Sequence, residues 1–251
     1  MEPMSKRSST STKGRPTAAQ GVHRAQQRRY PATPVIIGGV VLLGVIAIIA
    51  VALSGGSKKA SDHGVAQTRP VTVQGKALPA YDSSTATDPA VGTSPPTLVG
   101  QDFSGKRVTI GNDGHPKAIV FVAHWCPHCQ REVPRLSQYL EQTGLPAGVE
   151  LYFVPTSTNA SYPNYPPSAW LQREGVGNVP TLVDDGDGTA FSAYGGSAFP
   201  YFVLVGKDGK IAARFTGEVD ESALPALFDA LAQGKTIPGA QPGPSSAAPS
   251  S

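Results

Sequence analysis

One long uncharged apolar run divides the chain. Residues 35–53 read VIIGGVVLLGVIAIIAVAL, with no charged or polar side chain. As an α-helix at about 1.5 Å per residue, the run would be about 28 Å long, close to the ~30 Å hydrocarbon core of a bilayer. It is longer than the apolar region of a cleaved signal peptide and begins later in the chain. We therefore predict an uncleaved transmembrane signal anchor at 35–53.

The charges that flank this run predict its orientation. Residues 1–34 contain seven Lys or Arg and a single acidic residue, Glu2, whereas the whole chain carries +3. The positive-inside rule then places the N-terminus in the cytoplasm and the rest of the chain outside it, as a single-pass protein of the cell membrane. Residues 35–251 carry −3, which argues against a nucleic-acid-binding body.

Composition predicts how the remaining residues are organised. Residues 1–34 form a basic, disordered cytoplasmic arm. Residues 54–94 are rich in Gly, Ser, Ala, Thr and Pro, so we predict a flexible tether there. The same argument predicts a disordered tail at 235–251. One folded domain remains, at 95–234.

Strand and helix patterns alternate within this domain. The predicted strands are 106–110, 118–123, 149–154, 179–183, 200–205 and 211–215. The predicted helices are 127–142, 168–174 and a closing helix that ends near Ala232. The run AIVFVA at 118–123 is typical of a central strand buried on both faces, and Asp208-Gly209 predicts a hairpin between the last two strands. The order predicts an α/β fold whose sheet ends antiparallel.

The only two cysteines lie in Trp125-Cys126-Pro127-His128-Cys129, between the central strand and the first helix. The helix dipole and the free backbone N–H groups there would stabilise a thiolate at Cys126. Pro127 suits the first helical position, and His128 adds a polarisable or cationic neighbour. Cys129 lies one turn on, close enough for a Cys126–Cys129 disulfide. We predict a redox pair in which Cys126 attacks and Cys129 resolves the mixed disulfide.

Three other roles of a cysteine pair fit this sequence less well. A purely structural disulfide would close so short a loop that it adds little stability. A metal site formed by Cys126, Cys129, His124 and His128 would crowd its ligands in a way unlike zinc sites. Gln130 follows the second cysteine where a c-type haem motif needs His. We therefore predict no metal and no cofactor.

The strand, the Trp-Cys-Pro-His-Cys motif and a helix with Pro134 together resemble the thioredoxin-like superfamily. The resemblance implies a thioredoxin fold, with a central mixed β-sheet flanked by helices. It also implies a cis-proline that faces the cysteines, for which Pro180 and Pro200 compete. We choose Pro200, because the strand after it runs into the hairpin and the last helix. Phe199 would then present its backbone to a substrate peptide.

The chain between Cys126 and Pro200 is longer than plain thioredoxin needs. The excess is similar to the strand–helix insertion of membrane-anchored TlpA/ResA-like proteins, and one N-terminal transmembrane helix fits the same branch. This resemblance implies a membrane-tethered, extracytoplasmic thiol–disulfide oxidoreductase. Its partners would be client proteins that bear cysteines and a redox partner that supplies or removes electrons.

Five positions near the motif extend or qualify the resemblance. Val120 stands where thioredoxin has a buried aspartate, and Glu132 is either a substitute proton acceptor acting through water or a solvated helix residue. His128 resembles the third motif position of the oxidant DsbA, which predicts a more oxidising pair than thioredoxin. His124 is either a contact to substrate or thiolate, or a partly buried polar residue at the strand end. Trp125 is expected to shield the cysteines.

The alternative function is an envelope metallochaperone of the copper-assembly type, holding metal through Cys126, Cys129 and a nearby histidine. Such proteins usually separate their cysteines by three residues and add a distant histidine. This chain separates them by two, which favours the oxidoreductase.

Overall fold

The computed structural model describes residues 65–241. The predicted arm at 1–34, the anchor at 35–53 and the end of the tail lie outside these residues. Within the described part of the chain, no helix combines the length and apolarity that crossing a membrane requires.

Two β-sheets form the domain. The first is a three-stranded antiparallel sheet in the order β1-β2-β3. Its strands are β1 (Thr72–Gln74), β2 (Thr97–Gln101) and β3 (Arg107–Ile110). The second has the order β5-β4-β6-β7, in which only the β4–β5 pair is parallel. Its strands are β4 (Lys117–Val122), β5 (Glu150–Pro155), β6 (Tyr201–Val205) and β7 (Ile211–Thr216).

Within residues 65–241, four α-helices accompany the sheets: α1 (Pro127–Gln142), α2 (Pro167–Arg173), α3 (Thr189–Ala193) and α4 (Leu224–Gln233). A mixed four-stranded sheet with flanking helices is the thioredoxin fold that the motif implied. The predicted limits of α1 are confirmed, and β5 and α2 occupy the region that was expected to hold an inserted strand and helix.

The central strand β4 explains why its sequence is continuously apolar. Val120 and Val122 belong to a core cluster that includes residues of α1 and α4. Ile119 and Phe121 belong to a second cluster on the other face of the sheet, with Tyr194 and residues of the N-terminal segment. Because successive side chains of a strand point to opposite faces, a strand covered on both sides needs apolar residues throughout.

The prediction of a strand at 179–183 is wrong. Thr181 makes only an isolated parallel bridge to Phe153 of β5. Pro180 accepts a hydrogen bond from the Phe153 N–H but has no N–H of its own to donate. The hairpin prediction is confirmed: β6 and β7 are joined by a tight turn in which Gly209 has φ +75°, a conformation that glycine adopts without strain.

The predicted tether at 54–94 is corrected for residues 65–94, which are packed into the domain. The Leu78 N–H donates to Ala193 and the Tyr81 N–H to Gly195. Asp88 makes a buried, two-pronged ion pair with Arg214 of β7, with nitrogen–oxygen distances of 2.8 and 2.5 Å. The segment was predicted to be flexible because small residues and proline dominate its composition, whereas only a few of its residues make the contacts that anchor it.

The predicted tail needs a smaller correction at its start. Ile237 is buried and belongs to the cluster that contains α4. The chain therefore stays on the domain beyond the end of α4 at Gln233.

Candidate active site

Both cysteines lie where the sequence predicted, at the start of α1. Cys126 is the N-cap residue, and its backbone N–H donates to the Ala123 carbonyl at 3.0 Å. Pro127 occupies the first helical position. Cys126 retains 7% of its surface exposed, whereas Cys129 has none. Both are free thiols, and only Cys126 can be reached by a second protein.

The inner cysteine is held as a neutral thiol. Burial raises the pKa of Cys129 well above its ordinary value, and the adjacent Cys126 sulfur and the Glu132 carboxylate raise it further. A buried thiol without a compensating charge reacts slowly as a nucleophile. Of the two sulfurs, that of Cys126 is therefore the better placed to meet an incoming disulfide.

The start of β6 lies beside Cys126. The Cys126 thiol donates to the Phe199 carbonyl, with a sulfur–oxygen distance of 3.7 Å. The Phe199–Pro200 bond is cis, as predicted for Pro200, and Pro180 is not among the cis prolines of the described residues. A second cis bond, Tyr165–Pro166, was not predicted.

Trp125 directly precedes Cys126, and its side chain packs among other aromatic rings. Its indole N–H donates to the Ser157 carbonyl at 2.8 Å. The ring packs edge-on against Phe199, with 6.0 Å between centroids, and at a tilt against Tyr162, with 5.6 Å between centroids. Tyr162 is 52% exposed, so an aromatic surface reaches solvent next to Cys126. The shielding role of Trp125 stays a prediction, and the contribution of Tyr162 was not predicted.

His124 is a positioning residue and contacts neither cysteine. It is buried, and its Nδ1 donates to the Pro163 carbonyl at 2.7 Å. Its Nε2 accepts from the Asn159 N–H at 3.2 Å. Both ring nitrogens are thus occupied by the backbone of the loop 157–165, and burial lowers the pKa of the imidazole. These contacts favour the alternative of a buried polar residue at the strand end, and a contact of His124 to substrate stays a prediction.

His128 is largely exposed and belongs to a charge network. Its Nδ1 lies 2.7 Å from Oε1 of Glu218 and 2.9 Å from Nη2 of Arg131. Arg131 and Arg135 also bind Glu218, at 2.6 and 2.7 Å. Hydrogen bonds from Arg131, His128 and Arg135 lower the pKa of Glu218 to about 2. Glu218 follows β7 and was not identified from the sequence.

Glu132 is fully buried, so the alternative that it is a solvated helix residue is wrong. Its Oε2 accepts from the Val219 N–H at 3.0 Å, and Arg135 lies 3.9 Å from the same oxygen. Oε1 has no hydrogen-bond partner. Burial is the main reason that the pKa of Glu132 rises from 4.5 to about 7. The helical spacing from Cys129 places both residues on one face of α1.

The histidines and cysteines of the motif are not among the ligand groups that lie close together in the described residues. In residues 65–241, the one group of three possible ligands that lies close together is Asp113, His115 and Glu150. Lys117 already pairs with both carboxylates of that group. His124 has no free ring nitrogen for a metal shared with the cysteines, which disfavours the metallochaperone alternative.

Comparison with known families decides the assignment. Residues 82–231 match the family model described as Redoxin, which covers more than half of the chain. This chain belongs to the Redoxin family. The match begins within the segment that composition had assigned to the tether, in agreement with the packing of the redoxin domain from Val65 onward.

Curated relatives of this redoxin are named for thiol–disulfide chemistry. The chain is 26% identical over 146 residues to the thiol-disulfide oxidoreductase ResA of Bacillus subtilis, covering 58% of this chain and 78% of the relative. It is 29% identical over 153 residues to the thiol:disulfide interchange protein DsbE of Pseudomonas aeruginosa, covering 61% and 71%. The crystal structure of StoA from Bacillus subtilis matches with a TM-score of 0.44 and 22% identity, covering 55% of this chain and 98% of that one.

Proposed function

We propose that this protein is a membrane-tethered, extracytoplasmic thiol–disulfide oxidoreductase that exchanges disulfides with client proteins through Cys126 and Cys129. The observation that carries the proposal is the asymmetry of the pair. Cys126 reaches the surface at a helix N-terminus beside the Phe199 carbonyl, while Cys129 is fully buried with a raised pKa. One thiol is thus placed to attack and the other to resolve.

The reaction is a two-electron exchange. The Cys126 thiolate attacks a client disulfide and releases one client thiolate, forming a mixed disulfide. Cys129 then gives up its proton and attacks the Cys126 sulfur, which releases the second client thiol and leaves the Cys126–Cys129 disulfide. The client gains two electrons and the pair loses two. Run backwards, the same steps oxidise a client dithiol.

Resolution requires a base near Cys129, and Glu132 is placed for that role. Its unpartnered Oε1 is buried on the same helix, one turn beyond Cys129. A carboxyl group with a pKa of about 7 can take up and return a proton near neutral pH. A water molecule between the two groups would carry the proton, as the sequence analysis suggested.

Clients would meet two kinds of surface around Cys126. The Phe199 carbonyl offers a backbone hydrogen-bond acceptor, and Trp125 with Tyr162 offers an exposed aromatic face. A client segment in extended conformation could use both while its cysteine meets Cys126. The redox partner that resets the pair would use the same approach.

The tethering and the compartment are supported by the sequence. The apolar run at 35–53 is long enough to span a bilayer, and the basic residues before it favour a cytoplasmic N-terminus. An extracytoplasmic compartment is also where disulfides persist. A reporter enzyme fused after Ser251 tests this placement. A reporter that is active only in the cytosol would exclude an extracytoplasmic position for the domain.

The chemistry is tested by redox titration of the purified full-length protein. The protein is equilibrated in glutathione buffers of graded ratio, its free thiols are alkylated, and the added mass is counted. We expect two thiols to disappear together in one reversible transition, with turnover of a peptide that contains a single disulfide. The Cys126→Ser/Cys129→Ser double variant is the control and should show neither. Two thiols that stay reduced throughout, without turnover, would refute the function.

A further inference from the structure

Three basic side chains occupy one face of α1 immediately after Cys126. His128, Arg131 and Arg135 follow each other at spacings of three and four residues, which places them on the same side of the helix. All three side chains are at least partly exposed. Cations near the start of this helix would stabilise a Cys126 thiolate, in addition to the helix dipole.

The carboxylate of Glu218 binds all three of these basic groups. Glu218 Oε1 lies 2.7 Å from His128 Nδ1 and 2.6 Å from Arg131 Nη2, and it also accepts from Arg131 Nε at 2.9 Å. Its Oε2 accepts from Arg135 at 2.7 Å. Glu218 lies on the segment after β7, far from the motif in sequence, so the tertiary fold brings it there. The cations therefore face Glu218 and their charge is partly neutralised.

Arg131 links this network to the cysteine. The hydrogen bond to Glu218 is the first cause of the raised pKa of Arg131, and the charge of Cys126 contributes in the same direction. Arg131 stands in the second turn of α1, whose N-cap is Cys126, so it adds positive charge near the helix start while its guanidinium remains bound to Glu218.

We propose that Glu218 is a positioning residue that limits the oxidising strength of the Cys126–Cys129 pair, by holding His128 and Arg131 on its own carboxylate. The inference rests on the proposed function. The relevant equilibrium is disulfide protein plus two glutathione thiols giving dithiol protein plus one glutathione disulfide. Whatever stabilises the Cys126 thiolate stabilises the dithiol form and makes the pair more oxidising. Glu218 reduces this stabilisation, so the histidine in the motif has less effect than its resemblance to DsbA suggests.

The test is the glutathione equilibrium constant of the full-length Glu218→Gln variant. Loss of the carboxylate frees Arg131 and adds net positive charge beside Cys126. We expect the dithiol form to be favoured about three- to tenfold more than in the wild type, the size expected for exposed charges acting over short distances. Glu218→Asp keeps the charge and should remain close to the wild type.

Two further variants separate this role from a general charge effect. Glu221→Gln makes the same charge change three residues away, at an exposed position, and should leave the equilibrium unchanged. In an Arg131→Gln background, Glu218→Gln should have a clearly smaller effect, because the released cation is missing. Comparable unfolding midpoints of all variants would exclude misfolding as the cause.

The outcomes are distinct from those that test the function itself. A change below twofold for Glu218→Gln, a shift toward the disulfide, or an equal shift for Glu221→Gln would overturn the role of Glu218 and leave the exchange reaction intact. Absence of any reversible thiol–disulfide transition in the wild type would refute the proposed function instead.

Discussion

The sulfur of Cys126 lies 3.7 Å from the carbonyl oxygen of Phe199. The register of the central sheet explains this contact. Phe121 of β4 pairs with Tyr201 of β6 in the antiparallel ladder, so the chain leaving β4 and the chain entering β6 meet at one edge. The cysteine and the backbone that would face a client therefore come from two elements whose relative position the sheet fixes.

Glu132 should make the folded domain less stable as the pH rises. Its pKa is about 7 in the folded protein and ordinarily 4.5, so the folded state binds the proton more tightly than the unfolded state. The resulting stability is fully present below pH 4.5 and is lost as the pH rises through about 7. The change corresponds to about 3 kcal/mol.

The loss of stability with rising pH is measured by denaturant unfolding at pH values from below 4.5 to above 7, with tryptophan fluorescence as the signal. Glu132→Gln should remove the loss of stability, whereas Glu141→Gln, at an exposed position of the same helix, should keep it. An identical pH profile for wild type and Glu132→Gln would contradict the assignment of a raised pKa to this carboxyl group.

His124→Ala should loosen the loop 157–165. The substitution removes the donor to Pro163 and leaves the Asn159 N–H without its acceptor. Losing each of these partly buried hydrogen bonds should cost about 1 kcal/mol. Hydrogen–deuterium exchange of peptides from this loop should accelerate, while exposed His115→Ala should leave it unchanged. Unaltered exchange in His124→Ala would mean that the loop is held by other contacts.

Acidification should weaken the hydrogen bond between the Asn159 N–H and His124 Nε2. Because the pKa of His124 is lowered by burial, the folded state disfavours its protonation. Its stabilising contribution is present above the ordinary value of 6.5 and is lost as the pH falls through the folded pKa. A protonated Nε2 can no longer accept from Asn159. The wild-type stability should therefore fall on acidification more than that of His124→Ala.

Asp88→Ala should destabilise the domain strongly. Its partner Arg214 is buried and also donates to the Pro79 carbonyl. Removing one member of a buried ion pair leaves an uncompensated charge and typically costs about 3–5 kcal/mol. Asp82→Ala, in an exposed turn of the same segment, should cost far less. Similar unfolding free energies for the two variants would show that residues 65–94 contribute little to the fold.

The features predicted best from sequence depend on local pattern. The apolar run of β4 and the limits of α1 follow from strand and helix periodicity together with the proline at the helix start. The N-terminal segment was mispredicted because its stability depends on distant partners, since Asp88 and Arg214 lie 126 residues apart. A contact between residues so far apart in the chain cannot be inferred from local composition.

The same distinction applies to the site. Cys126, Cys129 and Pro200 follow from the motif and the strand order. Glu218 lies 90 residues from His128 and does not belong to any local pattern. The burial of Glu132 could have been inferred from helical periodicity, because Cys129, Val133 and Leu136 lie on the same face and are all buried. A charged residue on that face should have indicated a functional carboxyl group.

Trapping of the mixed disulfide tests the central claim, that Cys126 attacks and Cys129 resolves. Full-length Cys129→Ser and Cys126→Ser variants are incubated with a peptide that contains one disulfide, and mass spectrometry locates the adduct. We predict that Cys129→Ser accumulates peptide at Cys126, because attack proceeds and resolution does not, while Cys126→Ser accumulates almost none. An adduct at Cys129 in the Cys126→Ser variant, forming as fast as that at Cys126 in the other, would contradict the assignment of the nucleophile.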